Sequence, residues 1–104
     1  MSTAMIYITA GSRTEAAKIG RTIVEERLAA CANVVPEITS YYWWEGAVQE
    51  DSEASLILKT REELVEKVIG RVKELHSYDC PCVVSFPIAA GNNDFLNWII
   101  KETS

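Results

Sequence analysis

Residues 32–57 read ANVVPEITSYYWWEGAVQEDSEASLI, and this stretch decides the fold. Its apolar residues are spaced as in strands, and Glu45-Gly46 interrupts them with a turn, so a long antiparallel hairpin is predicted. If each arm has about 12 residues at ~3.3 Å per residue, each arm is about 40 Å long. A compact domain of this size has a diameter of roughly 33 Å. The hairpin should therefore extend beyond the body of its own domain.

Four aromatic residues, Tyr41-Tyr42-Trp43-Trp44, lie next to this turn. Because successive side chains of a strand point to opposite faces, aromatic surface is expected on both sides of the hairpin. Large exposed apolar patches are rare in monomers, which favours burial of these rings against another subunit. Pro36 has no backbone donor and indicates an edge strand or a bend. Edge strands invite pairing between chains, so association with further copies of the chain is predicted.

Shorter elements flank the hairpin on both sides. A strand at Met5–Ala10 is followed by a helix whose start has capping-box spacing at residues 12–15. The same spacing recurs at residues 60–63, where a second helix is expected. A strand at Cys82–Phe86 and a short helix capped within Gly91–Asp94 complete the chain.

The predicted order is βαββαβ with a terminal helix. This order gives an α+β, ferredoxin-like sandwich with a long central hairpin, in which two helices cover one face of a four-stranded sheet. A chain of 104 residues suits one core, so residues 1–104 are expected to form a single domain.

Composition and charge exclude several classes of protein. Hydrophobic residues make up 48% of the chain and charged residues 24%, which excludes extended disorder. The net charge of −5 has the wrong sign for binding phosphates, so no nucleic-acid partner is expected. No apolar run reaches the ~20 residues that cross a bilayer, and the first residues lack the basic segment of a signal peptide. These features predict a cytoplasmic protein without a membrane partner.

Candidate chemistry rests on few residues. The chain has one histidine, His76, and three cysteines, an odd number that does not suggest a disulfide framework. No nucleophile and base, and no pair of carboxylates, have the spacing of a catalytic site, which predicts that the chain is not an enzyme. Cys31 stands in a small apolar context after the first helix and is expected to be a buried thiol.

Five blocks of the sequence, in order, resemble the CutA-type divalent-cation tolerance family. They are Glu26–Val34, Ser40–Gly46, Leu58–Thr60, His76 with Tyr78, and Gly91–Ile99. The resemblance implies a ferredoxin-like subunit in a tight homotrimer, related in architecture to the PII-like signalling trimers. It also implies a role in tolerance of divalent metals, notably copper.

The chain departs from that family where the second helix ends. Family members commonly read His-Pro-Tyr-Glu-Val-Pro-Glu, whereas residues 76–82 here read His-Ser-Tyr-Asp-Cys-Pro-Cys. The family's copper-associated cysteine and paired histidines correspond to Ile8, Leu75 and His76, of which only His76 is retained. The copper site of the family therefore does not transfer directly.

The candidate metal ligands are His76, Cys80 and Cys82. In an extended strand, alternation would place both thiols on one face about 6.5 Å apart, a geometry suited to copper(I) or zinc. Packing and redox switching are the other interpretations of the two thiols. For His76, the alternatives are a capping or packed histidine near the helix end and a general acid or base.

Acidic residues flank the hairpin and have two interpretations. These residues are Glu45, Glu50, Asp51 and Glu53. Either they form a solvated charged rim, or they line a cleft between subunits together with Lys59 and Tyr78. The sequence therefore gives two candidate functions.

The leading one is a non-enzymatic metal-tolerance protein that binds copper or another divalent metal ion. The alternative is a PII-like trimeric signalling module that binds a small ligand in the subunit clefts.

Overall fold

The sheet and helices are described by a computed structural model that covers residues 2–104. The strands are β1 (Thr3–Ala10), β2 (Cys31–Trp44), β3 (Ala47–Arg61) and β4 (Val83–Pro87), and the helices are α1 (Arg13–Glu25), α2 (Val65–Leu75) and α3 (Asn93–Glu102). A single 3₁₀ turn, Glu62–Leu64, leads into α2. Met1, the first residue of the predicted domain, lies outside the described residues.

The strands form one sheet in the order β2-β3-β1-β4. Every neighbouring pair is antiparallel, and β1 lies in the interior, where Ile6 is opposite Leu58 of β3 and Ser85 of β4. This order and the βαββαβα sequence of elements confirm the predicted ferredoxin-like α+β fold. The two edge positions belong to β2 and β4.

The core lies between the sheet and the helices α1 and α2. Alternate residues of β1, including Ile6 and Ile8, are fully buried and pack with Ile23 of α1 and Val72 of α2. Gly20 of α1 lies so close to the sheet that an added Cβ would stand 2.8 Å from Cδ1 of Leu56. A glycine here allows the helix to approach β3 closely.

The hairpin has the predicted turn and bend. Glu45 and Gly46 have φ values of 50° and 81°, as a tight two-residue hairpin turn requires. The register of β2 shifts between Val35 and Ile38, so Pro36 lies in a β-bulge on an edge strand. The molecule measures 44 × 25 × 22 Å, and the hairpin accounts for its elongation.

The four aromatic residues alternate between the two faces of the hairpin, as predicted. Tyr42 and Trp44 share the face that continues the open side of the sheet, whereas Tyr41 and Trp43 lie on the opposite face. Trp43 is 74% exposed and Trp44 is 61% exposed. Within one chain the tip of the hairpin is therefore an aromatic surface on both sides.

The two predicted capping boxes had different outcomes. Oγ of Ser12 accepts a hydrogen bond of 3.1 Å from the backbone N–H of Glu15, which confirms the start of α1. The prediction that a capping box at residues 60–63 starts the second helix is wrong. Thr60 is still paired with Ala4 in the sheet, and its buried hydroxyl donates to the carbonyl of Leu28 at 2.7 Å. The second helical segment begins without a side-chain cap.

The cysteines are placed differently from the expectation. β4 starts at Val83, so Cys80 and Cys82 precede the strand and the strand-alternation argument for their geometry was wrong. Pro81 between them and the bends before it interrupt the ladder. Cys31 begins β2 and is half-buried rather than fully buried. In the described part of the chain, no helix has the length and apolar character needed to cross a membrane.

Candidate functional site

A groove of about 610 Å³ lies between the hairpin and the loop that joins α2 to β4. Tyr42 and Trp44 of β2 and Tyr78 of the loop supply aromatic walls, and Glu53 of β3 and Asp79 supply carboxylates. This volume is within the range of about 300–1,000 Å³ that is usual for small-molecule sites.

Two of the three predicted metal ligands line this groove. Cys80 and Cys82 are both free and exposed, and the remaining lining residues are Thr9 and Ser40. The loop places the two thiols beside the aromatic and acidic residues, on the open side of the sheet. The structure thus brings Cys80 and Cys82 together in one surface feature, although they are not strand neighbours.

His76 lies behind the groove with a fully buried side chain. It is the C-cap residue of α2. Its Nε2 donates to the carbonyl oxygen of Thr9 at 2.7 Å, and its Nδ1 accepts from the backbone N–H of Tyr78 at 3.0 Å. Together these bonds assign the ring proton to Nε2. A metal bond to either nitrogen would therefore require one of these contacts to open.

Glu15 connects the start of α1 to the same loop. Its Oε1 accepts from the backbone N–H of Gly11 at 3.1 Å, and its Oε2 accepts from that of Ser77 at 2.8 Å. Burial raises the pKa of this carboxyl, but the hydrogen bonds from Ser77 and Gly11 outweigh it, and the pKa is lowered from its ordinary value. The ionised carboxylate fixes the loop next to β1.

Tyr78 joins the loop to the hairpin. Its ring centroid lies 4.7 Å from that of His76, and its hydroxyl donates to Oε2 of Glu53 at 2.8 Å. Burial, followed by the hydrogen bond to Glu53 and the charge of that carboxylate, raises the pKa of Tyr78 to about 12. Tyr42 similarly donates to Asp51, and this bond raises the pKa of Tyr42. Both phenols are thus neutral hydrogen-bond donors at physiological pH.

The acidic residues of the hairpin divide between several environments. Glu53 lines the groove and Asp51 supports Tyr42, whereas Glu50 pairs with Tyr41 on the other face. Nζ of Lys59 donates to Asn33 at 2.6 Å, about 20 Å along β3 from Glu53. The groove within one chain therefore contains Glu53 and Tyr78 without Lys59, and the cleft between subunits stays a prediction.

Other groove residues were missed by sequence reasoning. Trp44 and Asp79 both line the groove, and Glu15 fixes the loop that carries its thiols. Strand alternation groups Tyr42 with Trp44, and the pairing of β2 with β3 places this pair on the same face as Glu53. The bulge between Val35 and Ile38, which the sequence did not show, turns this face to the open side of the sheet. The capping-box position of Glu15 was visible in the sequence, whereas its bond to Ser77 was not.

The donor set of the groove fits a soft metal ion only in part. Within residues 2–104, no group of three or more His, Cys, Asp or Glu side chains is arranged to hold a metal ion. Two thiols on one surface are nevertheless ligands that select soft ions such as copper(I). Further ligands would have to come from movement of the loop or from a second chain.

Comparison with known proteins gives a consistent set of matches. The sequence profile of the CutA1 divalent ion tolerance protein family matches residues 4–102. The divalent-cation tolerance protein CutA of Pyrococcus horikoshii is 44% identical over 99 residues, which are 95% of this chain and 96% of that protein. The chloroplastic protein CutA 1 of Oryza sativa is 43% identical over 95% of this chain, which spans 56% of that longer relative.

A solved structure matches the whole fold. It is described as the periplasmic divalent cation tolerance protein CutA from Archaeoglobus fulgidus, and it superposes with a TM-score of 0.95 at 41% sequence identity. The match covers 98% of this chain and 99% of the other. The long hairpin is therefore shared with that structure.

Proposed function

The chain belongs to the CutA1 divalent ion tolerance protein family, and from this premise we propose that it is a non-enzymatic tolerance protein that binds copper or another soft metal ion in a homotrimer. The observation that carries the metal proposal is the presence of two free, exposed thiols, Cys80 and Cys82, in one groove. In this proposal the metal ion is the ligand that the protein binds, and it is not a resident cofactor.

The thiols are the first ligands of the proposed site. Thiolates select soft metal ions, and Glu53 and Asp79 add negative charge to the same groove. His76 remains a predicted third ligand, which would exchange its contact with Thr9 or Tyr78 for the metal. Because thiols lose protons when they bind metal, affinity is expected to rise with pH.

Copper(I) titration against a competing chelator tests the metal site. The Cys80→Ser, Cys82→Ser double variant should lose most of the binding, and it should stay folded because both thiols are exposed. Cys31→Ser is the matched control, because Cys31 pairs with Lys59, far from the groove. Unchanged copper affinity in the double variant would exclude both thiols as metal ligands.

The homotrimer is supported by surfaces that one chain leaves uncovered. Val84 and Phe86 of the edge strand β4 are 44% and 48% exposed, and Tyr41, Trp43 and Trp44 at the hairpin tip are more exposed still. Each hairpin extends beyond its own core and is able to cover such a surface on a neighbour. Three copies in a ring would close the β2 and β4 edges.

Sedimentation at low micromolar concentration tests the assembly. The proposal expects about three times the mass of the 11.6 kDa chain. A stable species with the mass of a single chain would reject the trimer without bearing on metal binding.

The groove also favours a second candidate function. A PII-like trimeric module would bind a small ligand at the subunit clefts and transmit its presence to a protein partner. The groove has a volume suited to such a ligand, and aromatic residues provide its walls. Thermal-shift screening of metabolites would identify the ligand, because a compound that binds only the folded protein stabilises it. A screen without any stabilising metabolite would leave metal tolerance as the function.

The cytoplasm is the location that we propose for this function. All three cysteines are free, and the two in the groove are exposed, a state that a reducing compartment maintains. Fractionation of cells that produce the tagged chain would test this location.

A further inference from the structure

The loop between α2 and β4 holds two thiols that are separated by a single residue. The Cα atoms of Cys80 and Cys82 therefore lie at most about 7 Å apart, and both sulfurs are able to reach one ion. In the part of the chain that the structure describes, no group of three His, Cys, Asp or Glu side chains is placed to hold a metal ion. The loop thus offers a pair of soft ligands rather than a full set of four.

Two side chains near this pair already have hydrogen-bond partners. His76 is buried and uses both ring nitrogens, one on the carbonyl oxygen of Thr9 at 2.7 Å and one on the backbone N–H of Tyr78 at 3.0 Å. A metal bond to either nitrogen would leave a backbone group without its partner, which is unfavourable. Oε2 of Glu53 accepts from the hydroxyl of Tyr78 at 2.8 Å. The fold therefore holds both groups in contacts of their own.

The other soft side chains that the structure describes lie far from the loop. Cys31 and Met5 are both opposite Lys59 in the sheet. Along β1, Met5 is about 13 Å from Thr9, which lines the groove. Asp79 lies beside the thiols, but its carboxylate is a hard oxygen ligand that suits magnesium, calcium or manganese. Two sulfurs are therefore the soft ligands that the loop of one subunit offers.

From this ligand set, we infer that Cys80 and Cys82 bind monovalent copper through two sulfurs and discriminate against the divalent ions for which the family is named. Copper(I) forms stable complexes with two thiolates, and thiolates select it. Zinc(II) takes four ligands, and calcium takes six to eight oxygen ligands. In this mode His76 keeps both of its hydrogen bonds.

The inference deepens the metal-binding function proposed above and rests on it. An ion held between two sulfurs of one loop needs no open groove and no contact with the hairpin tip. Its binding therefore does not depend on which parts of the groove a neighbouring subunit covers.

Competition titrations of the reduced protein with copper(I) and with zinc(II) test the inference. Zinc(II) should bind at least about a hundredfold more weakly than copper(I), because two thiolates leave half of its four positions to water. X-ray absorption of the copper(I) form should show sulfur ligands and no nitrogen ligand. Zinc(II) binding of comparable affinity, or a nitrogen ligand on copper, would overturn the inference and leave the proposed metal-binding function in place.

Single thiol variants distinguish a site with two ligands from a larger one. Cys80→Ser and Cys82→Ser should each lose nearly as much copper(I) affinity as the double variant, because one thiolate does not hold the ion alone. Both thiols are exposed in the subunit, so the variants should fold. Asp79→Asn removes the neighbouring carboxylate and should leave the copper(I) affinity unchanged. A single thiol variant that kept most of the affinity would reveal a third ligand and contradict the inference.

Failure of the proposed function has a different signature from failure of this inference. If neither ion binds the unmodified protein, the metal-binding function and the inference that rests on it are both rejected. If copper(I) binds the double variant as tightly as the unmodified protein, the thiols are not its ligands and the inference is wrong. If zinc(II) binds as tightly as copper(I) and both depend on the thiols, only the discrimination against divalent ions is rejected.

Discussion

At the scale of single residues, Tyr78 connects three parts of the molecule. Its backbone N–H binds His76 at the end of α2, its ring packs on the same imidazole, and its hydroxyl reaches Glu53 on the hairpin. Glu15 holds the preceding residue, Ser77, from the other side. The loop that carries the thiols is therefore fixed by specific bonds on both sides.

Tyr78→Phe tests the bond to the hairpin. It should lower the free energy of unfolding at neutral pH by about 0.5 to 1 kcal/mol, because the lost bond is partly exposed. The raised pKa means that the neutral phenol stabilises the fold below its ordinary pKa of about 10. That contribution disappears as the pH rises through about 12. Urea unfolding of both proteins across this alkaline range should show the difference narrowing; a constant difference would contradict the assignment.

Glu15→Gln tests the bonds that fix the loop near β1. The substitution places an amide NH₂ group against one of two backbone donors and should cost about 1 to 2 kcal/mol at neutral pH. Because the folded pKa is lowered, the carboxylate stabilises the protein above its ordinary pKa, and this contribution is lost as the pH falls through and below that value.

The measurement for Glu15 is chemical denaturation from neutral to acidic pH. The stability of the unmodified protein should approach that of Glu15→Gln in acid. Glu25→Gln is the control on the same helix, because its side chain is 63% exposed and its ion pair with Arg21 contributes little. If Glu25→Gln cost as much as Glu15→Gln, the loss could not be attributed to the loop.

At the scale of elements, periodicity predicted the order of strands and helices because each element buries one face. Periodicity did not predict which residues of one strand pair with which residues of a distant strand. Thr60 has capping-box spacing, yet the pairing of β3 with β1 extends as far as Arg61 and keeps Thr60 in the sheet. Pro36 indicated a bend, but the bulge that turns Tyr42 and Trp44 toward the groove depends on the register with β3. The groove formed by these contacts could not be derived from the sequence.

Two glycines in helices should respond oppositely to alanine. Gly70→Ala adds a methyl group in open space on α2 and should stabilise the protein by about 1 kcal/mol through helix propensity. Gly20→Ala forces a methyl group against Leu56 and Ala32 and should destabilise it by about 1 to 2 kcal/mol. Thermal unfolding of both variants measures the contrast. Stabilisation by Gly20→Ala would show that α1 is free to move away from the sheet.

At the scale of the whole molecule, the buried core stabilises the subunit, whereas the hairpin carries exposed aromatic rings beyond that core. The core formed by β1, α1 and α2 is fully buried, whereas the tip of β2 has exposed rings on both faces. A chain of this form places apolar surface where only a second molecule is able to cover it.

Trp43→Ala tests whether this surface holds copies together. If the ring is buried between subunits, its truncation should cost about 3 to 5 kcal/mol of assembly free energy. In one chain Trp43 is 74% exposed, so the fold of the subunit should persist. Sedimentation across a concentration series should show the variant dissociating where the unmodified protein remains assembled. A variant with unchanged mass and unchanged concentration dependence would place the interface elsewhere.

The position of β1 has a consequence for synthesis on the ribosome. This strand leaves before both of its partners, which are residues 54–61 of β3 and the later strand β4. At about 5 to 20 residues per second, the roughly 40 residues between Ala10 and Ala54 take about 2 to 8 s to translate. During that interval, β1, an interior strand of the finished sheet, has neither neighbour available. The emerging chain therefore depends on its first helix, or on a chaperone, to shield Ile6 and Ile8 until the hairpin arrives.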